Sequence, residues 1–172
     1  MPTTFSYETV FEAPSKTVVL AAYFDPDHLA AQDQVGDLCD RVVVENSDDD
    51  AVRKCSWRVR ANKSLPIYVK PFLEGGKLWY VEAMTWRKAD DEIDLTITPQ
   101  ILGGRVQINA VYALADVGPN QVRRRYRGTI TANVRLIAGK IERGIASEID
   151  KGMSIMTECT RAWLKQNRPV SR

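Results

Sequence analysis

Residues 144–156 read "GIASEIDKGMSIM" and belong to the one long helical pattern of the chain, which predicts a helix over 136–166. Stepping about 100° per residue from Ile141 places a mostly apolar stripe on one side of this helix. The stripe holds Ile137, Ile141, Ile145, Glu148, Gly152, Ile155, Met156, Cys159 and Trp163. Gly152 lies near its centre, where a helical glycine costs about 1 kcal/mol relative to alanine. Either a bulky side chain of the protein fills this notch, or the notch is open and admits a ligand.

The sequence before this helix alternates between apolar and polar residues, as half-buried strands do. A first strand is predicted over 3–11, and Ser15 and Asp25 are predicted to cap two short helices after it. The later strands are predicted as a hairpin within 38–60 and as 78–88, 92–99, 104–116 and 121–134. Residues 62–77, with two prolines and a Gly-Gly pair, predict a loop with at most one helical turn.

This order of elements predicts a single α+β domain that spans 1–172. Its antiparallel sheet of six or seven strands and its long C-terminal helix each have one apolar side. We therefore expect the sheet to curve around the helix and to bury the helix stripe against its concave face.

The hairpins predict which side chains share the inner face, because directly opposed residues of an antiparallel pair lie on one face. The predicted pairs are Trp86–Leu95, Met84–Ile97 and Glu82–Pro99 for a turn at Ala89–Glu92, and Leu114–Arg124, Tyr112–Tyr126, Ala110–Gly128 and Ile108–Ile130 for a turn at 118–120. The earlier hairpin adds Cys55, Trp57 and Val59 to the inner face and leaves Ser56, Arg58 and Arg60 in solvent.

Two charges, Glu82 and Arg124, fall on this otherwise apolar face. Burial of either one alone would cost several kcal/mol. Either a strand end is solvated and the charge reaches water, or the two residues line a partly hydrated cavity and orient a polar group of a ligand.

The composition excludes several classes of protein. The chain carries 24 basic and 22 acidic residues, so its net charge of +2 provides no overall field for binding nucleic acid. Three widely spaced cysteines argue against a disulfide framework or a zinc site. The N-terminus lacks the pattern of a signal peptide, and no apolar run is long enough to span a membrane. We therefore expect a cytoplasmic protein with no integral membrane segment.

Motifs of catalysis and of cofactor binding are absent from the sequence. The single histidine, His28, lies near a helix terminus and is expected at the surface. No metal or cofactor is expected, because no P-loop, dinucleotide-binding or zinc-protease pattern occurs. Arg123, Arg125 and Arg127 share the outer face of one strand, where they could contact a partner or be compensated by the acidic turns.

The order of elements, together with "VRLIAGKIERGIASEIDKG", resembles the START-like, Bet v 1-like helix-grip superfamily. Within it the chain is most similar to an uncharacterised bacterial family with an aromatic strand, here "EAMTW", and a characteristic entry into the last helix, here "AGKIE". Ala138 stands where that family often has glycine. The resemblance covers 3–165 and implies a curved sheet that grips the C-terminal helix around an apolar cavity for lipids, sterols, polyketides or other hydrophobic molecules.

The leading hypothesis is a ligand-binding or transport protein without enzymatic activity, whose cavity lies between the sheet and the C-terminal helix. The candidate binding residues are Trp57, Glu82, Met84, Trp86, Ile108, Tyr112, Arg124, Tyr126, Ile141, Ile145, Glu148, Gly152 and Met156. One alternative is a polyketide cyclase or aromatase with Glu82, Glu148, Arg124 or Tyr126 as acid–base groups. Another is a regulatory module that binds a partner through the outer arginines. The expected partner is a small hydrophobic molecule and not nucleic acid; transient membrane contact and oligomeric state stay open.

Overall fold

The computed structural model describes residues 1–63, 67 and 69–167, in which seven strands and three α-helices follow one another. The elements are β1 (Thr3–Glu12), α1 (Lys16–Ala22), α2 (Pro26–Gly36), β2 (Leu38–Asp48), β3 (Val52–Ala61), β4 (Leu78–Arg87), β5 (Glu92–Pro99), β6 (Val106–Gly118), β7 (Gln121–Ala132) and α3 (Ala138–Gln166). The predicted α+β order is confirmed. In the loop predicted over 62–77, the described residues form two short 3₁₀ turns, Lys70–Phe72 and Glu74–Gly76, while 64–66 and 68 lie outside the described residues.

The strands form one antiparallel, curved sheet in the order β1-β7-β6-β5-β4-β3-β2. The long helix α3 crosses one side of this sheet and has its main contacts with β1, β7 and α2. The concave faces of β3, β4 and β5 lie farther from α3. The principal core lies on the concave side of the sheet, with Phe11, Leu20, Val59, Ile93 and Val122 fully buried in it.

The two predicted hairpin registers had different outcomes. The pairing of β6 with β7 is confirmed, since Tyr112 lies opposite Tyr126 and Ile108 opposite Ile130. The pairing of β4 with β5 is shifted by two residues, so that Trp86 lies opposite Ile93 and not Leu95. A shift of two residues keeps every side chain on its predicted face, because side chains along a strand alternate with a period of two.

The hairpin of β2 and β3 confirms that Cys55, Trp57 and Val59 are buried. Ser56, however, is also buried, which corrects its predicted solvent position. Its side chain is short and lies between β2 and β4, opposite Glu45 and Ala83, where the neighbouring strands cover it.

The buried stripe of α3 is rotated from its predicted position by roughly a quarter turn. Thr157, which is not part of the predicted stripe, is buried, while Glu148 and Ile155 of the predicted stripe are exposed. The buried side holds Ile141, Glu142, Thr157, Thr160 and Leu164. Three of these five residues are polar, which is why a stripe drawn through apolar residues alone missed it.

Partners from distant segments satisfy the buried polar groups of α3. The carboxylate of Glu142 accepts hydrogen bonds from Thr3 Oγ1 at 3.1 Å and from the backbone N–H of Ala132 at 2.9 Å. These bonds attach the first turn of α3 to β1 and β7. Thr160 meets His28 in the same way at the other end of the helix.

His28 is fully buried, which corrects its predicted surface position. Asp25 caps α2 as predicted, and the turn places the imidazole between α1 and α3. Nδ1 donates to the carbonyl of Ala22 at 2.9 Å, and Nε2 lies 3.1 Å from Thr160 Oγ1. Tyr23 and Trp163 pack against the ring. His28 therefore joins three helices and is removed from water.

The burial of His28 predicts a loss of stability in mild acid. Desolvation lowers the pKa of its imidazole from the ordinary value of 6.5, and the positive charge of Arg124 adds to this shift, while Ala22 and Asp25 oppose it. Below pH 6.5 the imidazole takes up a proton in the unfolded chain but stays neutral in the folded protein. The free energy of unfolding therefore decreases as the pH is lowered below 6.5, by up to about 1.4 kcal/mol per pH unit. Chemical denaturation of wild type and His28→Gln at several pH values measures this slope. We expect the variant to lose it; equal slopes would contradict the assignment.

Candidate functional site

Four side chains whose polar groups make no hydrogen bond to a described residue line the concave face of the sheet. Tyr80 and Glu82 project from β4, Tyr112 from β6 and Tyr126 from β7, and the strand registers place all four on the inner side of the sheet. We call this set the tyrosine–glutamate cluster. Trp86 lies on the same face of β4, and Trp57 lies directly opposite Glu82 on β3.

Glu82 is the acidic member of this cluster. No described residue donates a hydrogen bond to its carboxylate; its one ionic partner, Arg41, places Nη1 3.8 Å from Oε2. Desolvation raises the pKa of the Glu82 carboxyl above its ordinary value of 4.5, and Arg41 opposes the rise. Yet 17% of the side chain stays exposed. The carboxyl of Glu82 is therefore desolvated by its neighbours and still open to a small polar group or to water.

The three tyrosines of the cluster share this environment. Their hydroxyls make no hydrogen bond to a described residue. Burial raises the pKa of each phenol, and the negative charge of Glu82 adds to the rise for Tyr80, Tyr112 and Tyr126. Glu82 therefore acts electrostatically on all three phenols across the concave face.

Ring stacking fixes the positions of two of these tyrosines, Tyr112 and Tyr126. Tyr112 lies between Tyr23 and Tyr126, with ring centroids 4.7 Å and 4.5 Å away and with interplanar angles of 12° and 20°. Phe5 of β1 approaches Tyr126 at 5.1 Å. Offset aromatic contacts of this kind stabilise a fixed geometry by about 0.5–1.5 kcal/mol each. The phenol oxygens are thus held by a rigid aromatic column.

Arg41 provides the basic side of the site. Its Nε and Nη2 donate to the carboxylate of Asp33 on α2 at 2.7 Å and 2.6 Å, and its guanidinium lies 5.3 Å from the ring centre of Trp57. Nη1, which faces Glu82, is buried without a hydrogen-bond partner, as is Trp86 Nε1. Asp33, Arg41 and Glu82 therefore form an acid–base–acid series whose last carboxyl faces the interior.

Arg124, the second predicted polar anchor, lies on the inner face and is only 2% exposed. Its Nη1 donates to Tyr23 Oη at 2.8 Å and its Nη2 to Thr157 Oγ1 at 2.9 Å. Phe11 lies 5.0 Å beneath the guanidinium. Its contacts attach β7 to α1 and α3, which gives this residue a structural function.

The structure places the candidate residues of α3 in three different environments. Ile141 is buried and Ile145 half-buried in a small apolar cluster near the start of the helix. Met156 packs over Gly36 of α2. Glu148 has a side chain that is 47% exposed and bonds to Lys151 Nζ at 2.9 Å, which corrects its predicted position on the buried stripe. A Cβ added to Gly152 would meet no atom within 4 Å, so the notch at this glycine is open.

The predicted binding residues on the sheet lie on one common face, unlike those on α3. Trp57, Met84, Ile108 and Tyr126 are buried, and Trp86 and Tyr112 are partly buried, all on the concave face. Tyr80 was missed, although it lies two residues before Glu82 and so shares its face. Arg41 was missed because a bulge turns it inward, with Asp40 at a φ of 54°.

Two cavities lie away from the concave face. One, of about 240 Å³, is lined by Val69, Phe72, Ile101, Leu102, Ile137, Lys140 and Ile141 at the start of α3. The other is an open depression of about 740 Å³ on the outer face of the sheet, where Arg127, Thr4 and Asp94 are among the lining residues.

Elsewhere we searched the described residues for metal sites, membrane-spanning helices and disulfides. They contain no group of three or more histidine, cysteine or acidic side chains arranged to hold a metal ion. Among these residues, no helix has the length and apolar character needed to cross a membrane. Cys39, Cys55 and Cys159 are all free thiols.

Comparison with solved structures finds the same fold over nearly the whole chain. The Zhui aromatase/cyclase from Streptomyces sp. R1128 aligns with a TM-score of 0.69 at 6% identity, covering 96% of this chain and 95% of that one. Norcoclaurine synthase from Thalictrum flavum, solved with dopamine and hydroxybenzaldehyde, aligns with a TM-score of 0.63 at 10% identity, covering 98% and 90%. A START superfamily protein from Mycobacterium smegmatis aligns with a TM-score of 0.57 at 10% identity, covering 95% and 97%.

The START-like, Bet v 1-like helix-grip fold implied by the resemblance is therefore confirmed. Comparison with curated protein sequences finds no match. A family model matches residues 6–164 and carries the description "Protein of unknown function (DUF2505)". This match spans all seven strands and most of α3, and the chain belongs to the DUF2505 family.

Proposed function

We propose that this protein binds a small, largely apolar molecule between α3 and the concave faces of β3–β6, with a polar group of the ligand at the tyrosine–glutamate cluster. The observation that supports this proposal most directly concerns Glu82. Its carboxyl is desolvated, accepts no hydrogen bond from a described residue and still has accessible surface. A buried polar group is normally paired, and the cost of leaving it unpaired is about 1–3 kcal/mol. A bound hydroxyl or carbonyl-bearing molecule would meet this requirement, and so would bound water in the empty protein.

The apolar walls support the same function. Ile97 lies opposite Glu82 on the concave face, and Trp86 lies on the same face of β4. Both are partly buried against the principal core, as are Ile149 and Met153 of α3. Apolar surface removed from water contributes about 25 cal/mol per Å², so such walls can supply most of the affinity while a few polar groups fix orientation. Norcoclaurine synthase, which has the same fold, was solved in complex with dopamine and hydroxybenzaldehyde, and this agrees with a site of this kind.

A substitution that fills the open notch at Gly152 tests the proposed binding function. Leucine at this position should fill the space next to α3 and weaken uptake of an apolar fluorescent probe by about tenfold or more, because a blocked pocket loses the burial that drives binding. The fold should persist, since no atom lies within 4 Å of the new Cβ. Fluorescence titration measures binding, and thermal unfolding checks the fold.

Gly152→Ala is the matched control, because it makes the same change of helix propensity with little added volume. It should bind the probe like wild type. Unchanged probe binding by Gly152→Leu would contradict the proposal, and so would unfolding of that variant, which would identify the notch as core packing.

A second function, acid–base catalysis of the cyclase type, is favoured by the raised pKa of Glu82 beside three phenols. A carboxyl with a raised pKa can hold a proton nearer neutral pH and transfer it to a bound molecule. Glu148 has no part in such chemistry, since it faces solvent. Incubation with polyketide-like substrates would test this function: turnover by wild type that Glu82→Gln lacks, at unchanged binding, supports it, and bound but unconverted substrate contradicts it.

A further inference from the structure

One end of the molecule combines exposed apolar side chains with a concentration of positive charge. It is formed by the described residues of the segments 62–77, 100–105 and 133–143, which connect β3 to β4, β5 to β6 and β7 to α3. These segments hold seven basic residues and two acidic ones, whereas the whole chain has a net charge of only +2. One of the two acids, Glu142, is buried in hydrogen bonds to Thr3 and Ala132. We call this surface the basic end.

The opposite end has the reverse charge. It carries the turn after β2 with Asp48, Asp49 and Asp50, and the turn after β4 with Asp90 and Asp91. Several of these carboxylates form ion pairs locally; Asp48, for example, bonds Lys88 at 2.7 Å. The molecule therefore has a charge asymmetry along the strand direction, which would orient it with the basic end toward an anionic surface.

Apolar residues project from the basic end into solvent. Leu136 is fully exposed, Ile67 is largely exposed and Phe72 is more than one-third exposed. Single exposed apolar side chains are common, but three on neighbouring loops within a basic surface match the composition that binds at lipid headgroups.

The conformation at Leu136 indicates that its exposure is built into the fold. Its φ is 69°, a left-handed value that bulky residues rarely adopt, and the N–H of Ile137 donates to the carbonyl of Arg135 across it at 2.8 Å. Such a tight turn is strained for a leucine. The side chain of Leu136 is fully exposed at the start of α3, where it adds nothing to the core.

We propose that the basic end docks on the surface of a lipid bilayer that contains anionic headgroups. Lys70, Lys77, Arg105 and Arg135 would supply electrostatic attraction, and Leu136, Phe72 and Ile67 would enter the boundary between headgroups and acyl chains. Each basic residue near such a surface strengthens binding about fivefold, and the attraction falls off within a Debye length. This inference goes beyond ligand binding on the concave face and does not depend on it.

Co-sedimentation with phospholipid vesicles tests the inference. Wild type should bind vesicles of phosphatidylcholine mixed with phosphatidylglycerol and should bind phosphatidylcholine alone only weakly. The double variant K70Q/R135Q should bind the anionic vesicles about thirtyfold more weakly, because two charges are lost. L136S/F72S should lose binding to a similar degree at unchanged charge.

The matched control is R123Q/R127Q, which removes two positive charges from the outer face of β7 and leaves the basic end intact. It should bind like wild type, within about twofold. Equal weakening by the control would show that net charge alone drives binding and would overturn the proposal. Absence of vesicle binding by wild type would also overturn it, as would binding to a soluble acidic polymer with no binding to vesicles.

Discussion

Gly128→Ala is expected to destabilise the protein by about 3 kcal/mol or more, the upper range for overpacked sites. Gly128 lies on the inner face of β7, opposite Ala110 of β6 and Phe5 of β1. A Cβ there would lie 2.6 Å from the backbone oxygen of Asn109, 2.6 Å from Phe5 Cζ and 2.8 Å from Ala110 Cβ. The backbone oxygen cannot move without displacing β6, so the sheet itself would have to shift.

Thermal unfolding measures this effect, and the expected decrease in Tm is about 6–12 °C for a chain of this length. Gly152→Ala is the control variant, since the added Cβ has no atom within 4 Å and helix propensity favours alanine over glycine by about 1 kcal/mol. The two variants should therefore change stability in opposite directions. A Gly128→Ala protein as stable as wild type would show that β1, β7 and β6 do not approach one another this closely.

Glu82→Gln is expected to stabilise the ligand-free protein at pH 8 by about 1–3 kcal/mol, the range for burial of an unpaired polar group. The raised pKa of this carboxyl means that the folded state holds its proton above pH 4.5, where the unfolded chain has released it. The contribution of Glu82 to the free energy of unfolding is therefore greatest in acid. It decreases as the pH rises from 4.5 through the pKa that the carboxyl has in the folded state. The amide has no proton to release, so this decline should disappear.

Chemical denaturation of both proteins across pH provides the measurement. The free energy of unfolding changes with pH in opposite directions for Glu82 and His28, so wild type shows the sum of the two slopes. Glu82→Gln and His28→Gln, measured singly, separate the two contributions. Glu82→Gln should also bind the apolar probe with altered affinity, because its carboxyl lies at the polar end of the proposed site. Parallel pH profiles for wild type and Glu82→Gln would contradict an interior position for this carboxyl.

The fold could be read from the sequence because its strands alternate strictly and its last helix is long. Face assignments on β6 and β7 were correct down to the register, since the turn at 118–120 leaves little freedom. The β4–β5 pairing was wrong by two residues because both registers keep Met84 and Trp86 on the apolar face. Only the turn, where Asp91 adopts a φ of 51°, distinguishes them.

The candidate site was less predictable, because polar contacts between distant segments determine it. The buried side of α3 carries Glu142, Thr157 and Thr160, whose partners come from β1, β7 and α2. A hydropathy pattern treats such residues as solvent-facing, which displaced the predicted stripe and placed Glu148 inside. Arg41 depends on a bulge in β2. Glu82 was found because a charge at an inward strand position conflicts with its neighbours.

Native mass spectrometry tests the central claim, that a space between α3 and the sheet accepts a small organic molecule. Wild type would be measured as purified and after incubation with a fatty acid, a sterol and a polycyclic phenol, beside Gly152→Leu under the same conditions. The account predicts a non-covalent one-to-one adduct on wild type that the leucine variant lacks. A wild-type spectrum showing only the bare polypeptide under all of these conditions would contradict it.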